Sequence, residues 1–155
     1  MRRFWVSVVL MSIGAFLLAA IVRPMPTDNT PRLPTYPRLI ARIGSKDFTL
    51  LETGTDEEKR LGLSVVPTLP PRYGMLFHGK GQMTIWMKGM SYPIDILWLD
   101  KDNRVIYVVH DAQPSSYPKT IFSNPLFSDA RTVIEINAGE AKRLGITNRT
   151  TIPLN

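Results

Sequence analysis

Apolar and polar positions divide the chain into three stretches of different rhythm. Residues 4–22, FWVSVVLMSIGAFLLAAIV, run for 19 positions without a charge, about the length that crosses a bilayer core as a helix. Residues 23–37, RPMPTDNTPRLPTYP, have no period and hold five prolines. Proline fixes φ and lacks an N–H, so this segment is predicted to be an extended spacer rather than a helix or a central strand. Residues 38–155 alternate short apolar runs with turn residues and form the domain.

Within the domain, LIARI (39–43) and FTLLE (48–52) flank GSKD, the signature of a hairpin. TDEEKRLG follows, with Thr55 as N-cap, Glu58 three residues on to complete a capping box, and Gly62 as the stop. VVPTLPPRYG is a proline-rich loop. MLF (75–77) and MTIWM (83–87) read as strands around HGKGQ. IDILWL (94–99) and RVIYVV (104–109) read as strands around the turn DKDN. Residues 110–131 show no period and are predicted to be a long loop, TVIEI (132–136) a strand, and NAGEAKRLG a second short helix with Asn137 as N-cap, Glu140 at the reciprocal position and Gly145 as stop. TTIPL closes the chain as an edge strand, because Pro153 cannot donate.

About eight short strands and two short helices at this spacing predict a mainly β fold: a compact antiparallel sandwich or barrel-like domain, not a βαβ sheet with long crossover helices. Arg2 and Arg3 precede the apolar run and Phe4 and Trp5 open it. That pattern predicts an N-terminal transmembrane helix with its start in the cytoplasm. A cleaved signal peptide is the alternative, but Leu18 stands where a cut after Ala20 would want a small residue. The expected organisation is a transmembrane signal anchor over 1–22, a linker over 23–37 and a β-rich domain over 38–155. The expected location is the inner (cytoplasmic) membrane, single-pass, with the domain facing the periplasm or cell exterior.

The net charge of +6 divides evenly, +3 in residues 1–37 and +3 in residues 38–155. The lysines and arginines of the domain are scattered, and without a dense positive footprint nucleic acid is not an expected partner. The sequence has no cysteine, which removes disulfides, thiol nucleophiles and cysteine-ligated metal centres. His78 and His110 are the only histidines and neither has a ligand partner at helical spacing, so neither a metal site nor a cofactor is expected.

EEKRLGL (57–63), LPPRYGMLF (69–77), IWMKGMSYPIDILWLD (85–100) and INAGEAKRLGI (136–146) follow one another in an order that resembles domain-of-unknown-function family 192. These are small bacterial and archaeal domains often carried behind a signal or anchor. The resemblance spans most of the domain and implies a compact β-rich sandwich, with no established reaction. Two departures stand out. The family usually continues Gly-Leu with Met and a nearby Arg, where this chain has Ser64 and Val65. It usually has Asn-Thr after Trp-Met-Lys, where this chain has Gly89 and Met90.

The segment TIWMKGMSYPIDILWLD (84–100) raises the sharpest chemical question, because Lys88 and Asp95 stand alone among apolar residues. Alternation along 83–87 and 94–98 would set the two strands side by side and let Lys88 and Asp95 approach. One reading is an ion pair that pins the connection KGMSYP to the sheet. Another is a small ligand-binding pocket, with Trp86 and Met87 as wall, Lys88 for an anion and Asp95 for an amine or hydroxyl. Catalysis by the pair would need a nucleophile or third group that the sequence does not supply, so catalytic residues stay unassigned.

His110 and Asp111 beside Ser115 and Ser116 read as a polar loop, since no nucleophile-elbow pattern is present. Tyr117, Phe122 and Phe127 in the long loop either fold back over an open end of the domain or present a surface to a partner. Two function classes follow. The first is a membrane-tethered extracytoplasmic binding or interaction module for an unidentified small molecule or protein. The alternative is an enzyme of unassigned reaction using the same pocket.

Overall fold

In a computed structural model of the chain, residues 33–125 and 128–154 are described. The predicted anchor over 4–22, most of the linker and Phe127 lie outside the described residues. Among the described residues, no helix is long and apolar enough to cross a membrane.

The hairpin read from GSKD forms β1 (Arg38–Ile43) and β2 (Lys46–Thr53), paired antiparallel. The capping box is present as expected. Thr55 Oγ1 accepts from the Glu58 N–H at 3.2 Å, and Glu58 Oε2 accepts from the Thr55 N–H at 2.8 Å. It opens helix α1 (Asp56–Leu61), and Gly62, with φ of 51°, ends it. The chain then returns through the proline loop to β3 (Tyr73–Gly81), which runs parallel to β2.

This parallel pair corrects the expectation of a wholly antiparallel fold. A parallel return needs a crossover of a dozen or more residues, and α1 with the loop behind it supplies one. Strands β3 and β5 (Ile94–Leu99) both flank β8 (Ala130–Asn137), and β6 (Val105–Ala112) pairs with β5; all these pairings are antiparallel. The resulting mixed six-stranded sheet has the order β1-β2-β3-β8-β5-β6.

Strand β4 (Thr84–Ile85) pairs with β7 (Phe122–Ser123) in a separate two-stranded sheet. The expected side-by-side pairing of 83–87 with 94–98 is therefore not found. Strand β5 is occupied on both edges by longer partners, β8 and β6. At the C-terminus, Thr151 bridges Arg104 beside β6 and Leu154 bridges Ala41 of β1. The C-terminal segment thus bridges to both edges of the sheet.

Alternation sends the apolar residues of each central strand to two cores. Ala41, Phe48, Leu50, Leu76, Leu97, Leu99, Ile134 and Ile136 fill one face with Ile146 and Ile152. Leu51, Met75, Phe77, Ile94, Ile96, Trp98 and Val133 cover the other, against Leu63, Val66, Ile85 and Met87. Strand β5 is buried at every position, which explains why IDILWL reads as a continuous run.

Residues 33–37, the described end of the predicted linker, lie against this second face. Leu33 and Tyr36 pack on its core, and the Glu52 N–H donates to Pro37 O at 2.9 Å. The short helix α2 (Glu140–Arg143) follows β8. Its N-cap is Gly139 and not Asn137 as expected; the Asn137 side chain instead donates to Leu69 O and Pro70 O at 3.1 and 3.3 Å.

Candidate functional site

The segment after β3 carries the residues that the sequence reading singled out. Ile85 and Met87 point into the core, while Trp86 is 40% exposed and Lys88 is exposed. The Met90 N–H donates to Met87 O at 3.2 Å and closes a turn with Lys88 at its tip and Gly89 at φ of 75°. Glycine and asparagine are the residues that adopt this left-handed conformation readily. The departure from the family's usual asparagine therefore preserves the turn. The amide side chain is what this chain lacks.

Two buried polar links hold the segment to the sheet. The Trp98 indole N–H donates to Met83 O at 3.0 Å. Asn124, in the long loop, accepts from the Met83 N–H at 2.8 Å and donates to Gly81 O at 3.3 Å.

A cavity of about 250 Å³ opens between this segment, α1 and β8. Asp56, Lys59 and Arg60 of α1 line it on one side, and Trp86, Lys88 and Met90 on the other. Phe77, Ile85 and Leu63 form its apolar wall, and Glu135 of β8 also lines it, at 4% exposure. The Arg60 guanidinium is oriented by two hydrogen bonds to Glu57, at 2.8 and 2.6 Å. Lys59 and Lys88 form no ion pair among the described residues. A second, open concavity of about 190 Å³ shares Arg60, Trp86 and Lys88 with the first and ends on Tyr117. Trp86 stands between the two.

Glu135 was not singled out by the sequence reading. In the register of β8 it sits between Met75 of β3 and Ile96 of β5, and its carboxyl has no hydrogen-bond partner among the described residues. Burial pushes its pKa up to about 8, because removing the carboxylate from water disfavours the charged form. Tyr92, half-buried nearby, has its hydroxyl pushed up by burial and then by the Glu135 charge. A signal was present in VIEI, where an acidic residue interrupts a strand that is otherwise apolar on both sides.

Of the predicted ligand-binding residues, the structure brings Trp86 and Lys88 to the cavity. Met87 is buried beneath them, 1% exposed, as part of the core. Asp95 does not join them. Its register partner Ile136 and its neighbour Leu97 belong to the other face of the sheet. There its Oδ1 accepts from the Asp111 N–H at 2.9 Å and its Oδ2 from the Ala141 N–H at 2.9 Å. The expected approach of Lys88 and Asp95, whether as ion pair or as pocket, is thus corrected: Lys88 sits in the turn that follows β4, which pairs with β7 and not with β5, while Asp95 leaves β5 on the face away from the cavity.

The remaining candidates are peripheral to the cavity. His110 is exposed and makes no hydrogen bond to Ser115 or Ser116. His78 pairs with Glu52 at 2.8 Å on the surface. Asp100 Oδ1 accepts from the N–H groups of Asp102 and Arg104, so DKDN is a hairpin turn. Among the described residues, no group of three or more His, Cys, Asp or Glu is placed to hold a metal. Tyr117 and Phe122 fold back onto the core of the cavity face.

A mixed β sheet with a lined cavity on one face defines a small β-rich domain. The chain belongs to domain-of-unknown-function family 192, described as "Uncharacterized ACR", whose model matches residues 39–154. No curated protein matches the chain. Two crystal structures share the fold. One is of a protein from Sinorhizobium meliloti 1021 described as a candidate transcription regulator, with a TM-score of 0.70 and 24% identity, covering 79% of this chain and 98% of that one. The other is of a protein of unknown function from Novosphingobium aromaticivorans DSM 12444, with a TM-score of 0.65 and 24% identity, covering 81% and 94%.

Proposed function

We propose that the domain is a binding module for a small anion-bearing molecule, held in the cavity between α1, the 83–90 segment and β8. One observation carries this reading: the buried carboxyl of Glu135, with no hydrogen-bond partner among the described residues, lines a concavity together with the exposed Lys59, Lys88 and Trp86, Arg60 paired with Glu57, and a single exposed carboxylate, Asp56. Buried polar groups are normally paired within the protein. A site lined mostly by apolar side chains with a few convergent polar groups is what small-molecule recognition uses. The proposed cellular setting is the one drawn from the sequence: a chain tethered in the cytoplasmic membrane by residues 4–22, its domain on the outer side. The transcription-regulator description of the S. meliloti protein is not carried over, because scattered basic residues give no nucleic-acid footprint.

The test is thermal unfolding of the full chain, wild type against Lys88→Ala, across sugars, organic acids, nucleotides, amino acids and lipid head groups. A ligand of the folded state raises the melting temperature by mass action. An anionic compound that stabilises the wild type and not the variant supports the reading. Equal behaviour of the two proteins toward every anion removes it.

The raised pKa of Glu135 favours a second reading, an enzyme using this carboxyl as a proton donor near neutral pH. Recovery of the bound compound unchanged after prolonged incubation distinguishes the module from the enzyme.

A further inference from the structure

The cations and the buried acid of this cavity differ in exposure. Lys59, Arg60, Lys88 and the carboxylate of Asp56 are exposed, whereas Glu135 is 4% exposed. The groups packed around the Glu135 carboxyl within the sheet, Met75, Phe77 and Ile96, are apolar. Tyr92 is close enough for the Glu135 charge to act on its hydroxyl, which donates to Leu63 O at 3.5 Å. No histidine lines the cavity. The protein therefore offers the carboxyl neither a cation that would keep it ionised nor an acceptor for its proton.

A buried acid in that position is neutral below its titration point and carries one O–H that no protein group among the described residues receives. An occupant that supplied a second anion at this depth would meet a dry apolar wall and no counter-charge. An occupant that supplied an uncharged oxygen would complete the missing bond. The exposed rim has the opposite preference: Lys59 and Lys88, unpaired among the described residues, outnumber the Asp56 carboxylate and favour an anion, Arg60 being already paired with Glu57, and the exposed face of Trp86 favours a flat, partly apolar body. The volume, about 250 Å³, lies just under the ~300–1,000 Å³ usual for drug-sized ligands.

We propose that Glu135 is the specificity determinant of this site, donating a hydrogen bond to an uncharged oxygen of the ligand while the cations at the mouth hold its anionic end. The ligand class is then a small hydroxylated organic acid, lying against Trp86 with its hydroxyl end inward. This rests on the binding reading and adds to it a polarity for the bound molecule and a dependence on pH. The donor exists only while Glu135 is protonated, so affinity falls as pH rises through about 8. A glutamine at this position keeps an N–H donor at every pH and breaks that dependence.

The experiment is calorimetric titration of the full chain in detergent with D-glucuronate, D-glucose and acetate, at about pH 6 and about pH 9, either side of the expected titration. Wild type, Glu135→Gln and Glu135→Ala are compared, with thermal melts confirming that each variant is folded. The expected result is that wild type binds glucuronate more tightly than glucose, which lacks the anion, or acetate, which lacks the hydroxyls. Its affinity falls about tenfold at the higher pH. Glu135→Gln retains binding at both pH values, and Glu135→Ala is weak at both.

A wild-type affinity that does not change with pH, or a Glu135→Ala protein that binds glucuronate like wild type, overturns the role of Glu135. In either case, loss of glucuronate binding in Lys88→Ala leaves the binding reading standing. Absence of wild-type binding to glucuronate also overturns the assigned ligand class, and the wider thermal comparison with Lys88→Ala then decides whether the binding reading falls with it.

Discussion

Two carboxyl groups are buried in this sheet, on adjacent strands and opposite faces, and they have opposite surroundings. Asp95 is 0% exposed and accepts two backbone N–H groups, from Asp111 and Ala141. It ties the end of β6 and the start of α2 to the middle of the sheet. Glu135 is 4% exposed, bonds to nothing among the described residues and looks into a cavity. Burial alone does not mark a site. The distinction lies in whether the surrounding backbone has already satisfied the group.

The comparison is broken most severely at Asp95. Asp95→Ala leaves two buried N–H groups without an acceptor and is expected to cost about 3–5 kcal/mol, at ~1–3 kcal/mol for each orphaned group plus the lost bonds. Chemical denaturation measures it. A loss below about 1 kcal/mol would show that the two faces are not so different.

Glu135 sharpens the comparison through pH. Its folded-state pKa is about 8 against an ordinary value of 4.5, so between these limits the folded protein holds a proton that the unfolded chain has released. Stability from this group is fully present below about pH 4.5 and declines as pH rises through about 8, by up to roughly 1.4 kcal/mol per unit. Glu135→Gln is expected to flatten that slope and to be the more stable protein above pH 8, which melts across the pH range would show.

Smaller effects belong to the elements that frame the cavity. Thr55→Ala removes the side-chain half of the capping box of α1 and is expected to cost about 1 kcal/mol. It would also loosen Lys59 and Arg60 at the mouth. Lys88→Ala removes an exposed side chain with no ion pair among the described residues, and its effect on stability is expected within about 0.5 kcal/mol. Paired melts of Lys88→Ala and Asp95→Ala test the corrected geometry directly. If the two residues formed one structural pair, their losses would be similar and non-additive.

The local chemistry of the chain was readable to a good depth. Thr55 and Glu58 announced α1 because a capping box needs only residues three apart. GSKD and DKDN announced their hairpin turns for the same reason. At the candidate site, the sequence pointed to Trp86 and Lys88 as lining, but it grouped Met87 with them, and the structure buries Met87 in the core. The motif order pointed to the family that the comparison then established.

Three decisions were made elsewhere, by contacts between residues distant in sequence. The parallel pairing of β2 with β3 depends on where the crossover through α1 lands, and no local pattern encodes that. Asn137 looks like a helix N-cap, but in the folded chain Leu69 O and Pro70 O claim its amide, while Asp95 accepts from the Ala141 N–H of α2. Above all, a period of two reports only that Asp95 and Glu135 leave their strands on some face. Which face carries Ala141 to satisfy one carboxyl, and which carries a cavity that leaves the other unsatisfied, follows from packing against α1, α2 and the 83–90 segment. A side chain's chemistry is written in the sequence, but its partners are supplied by the tertiary fold.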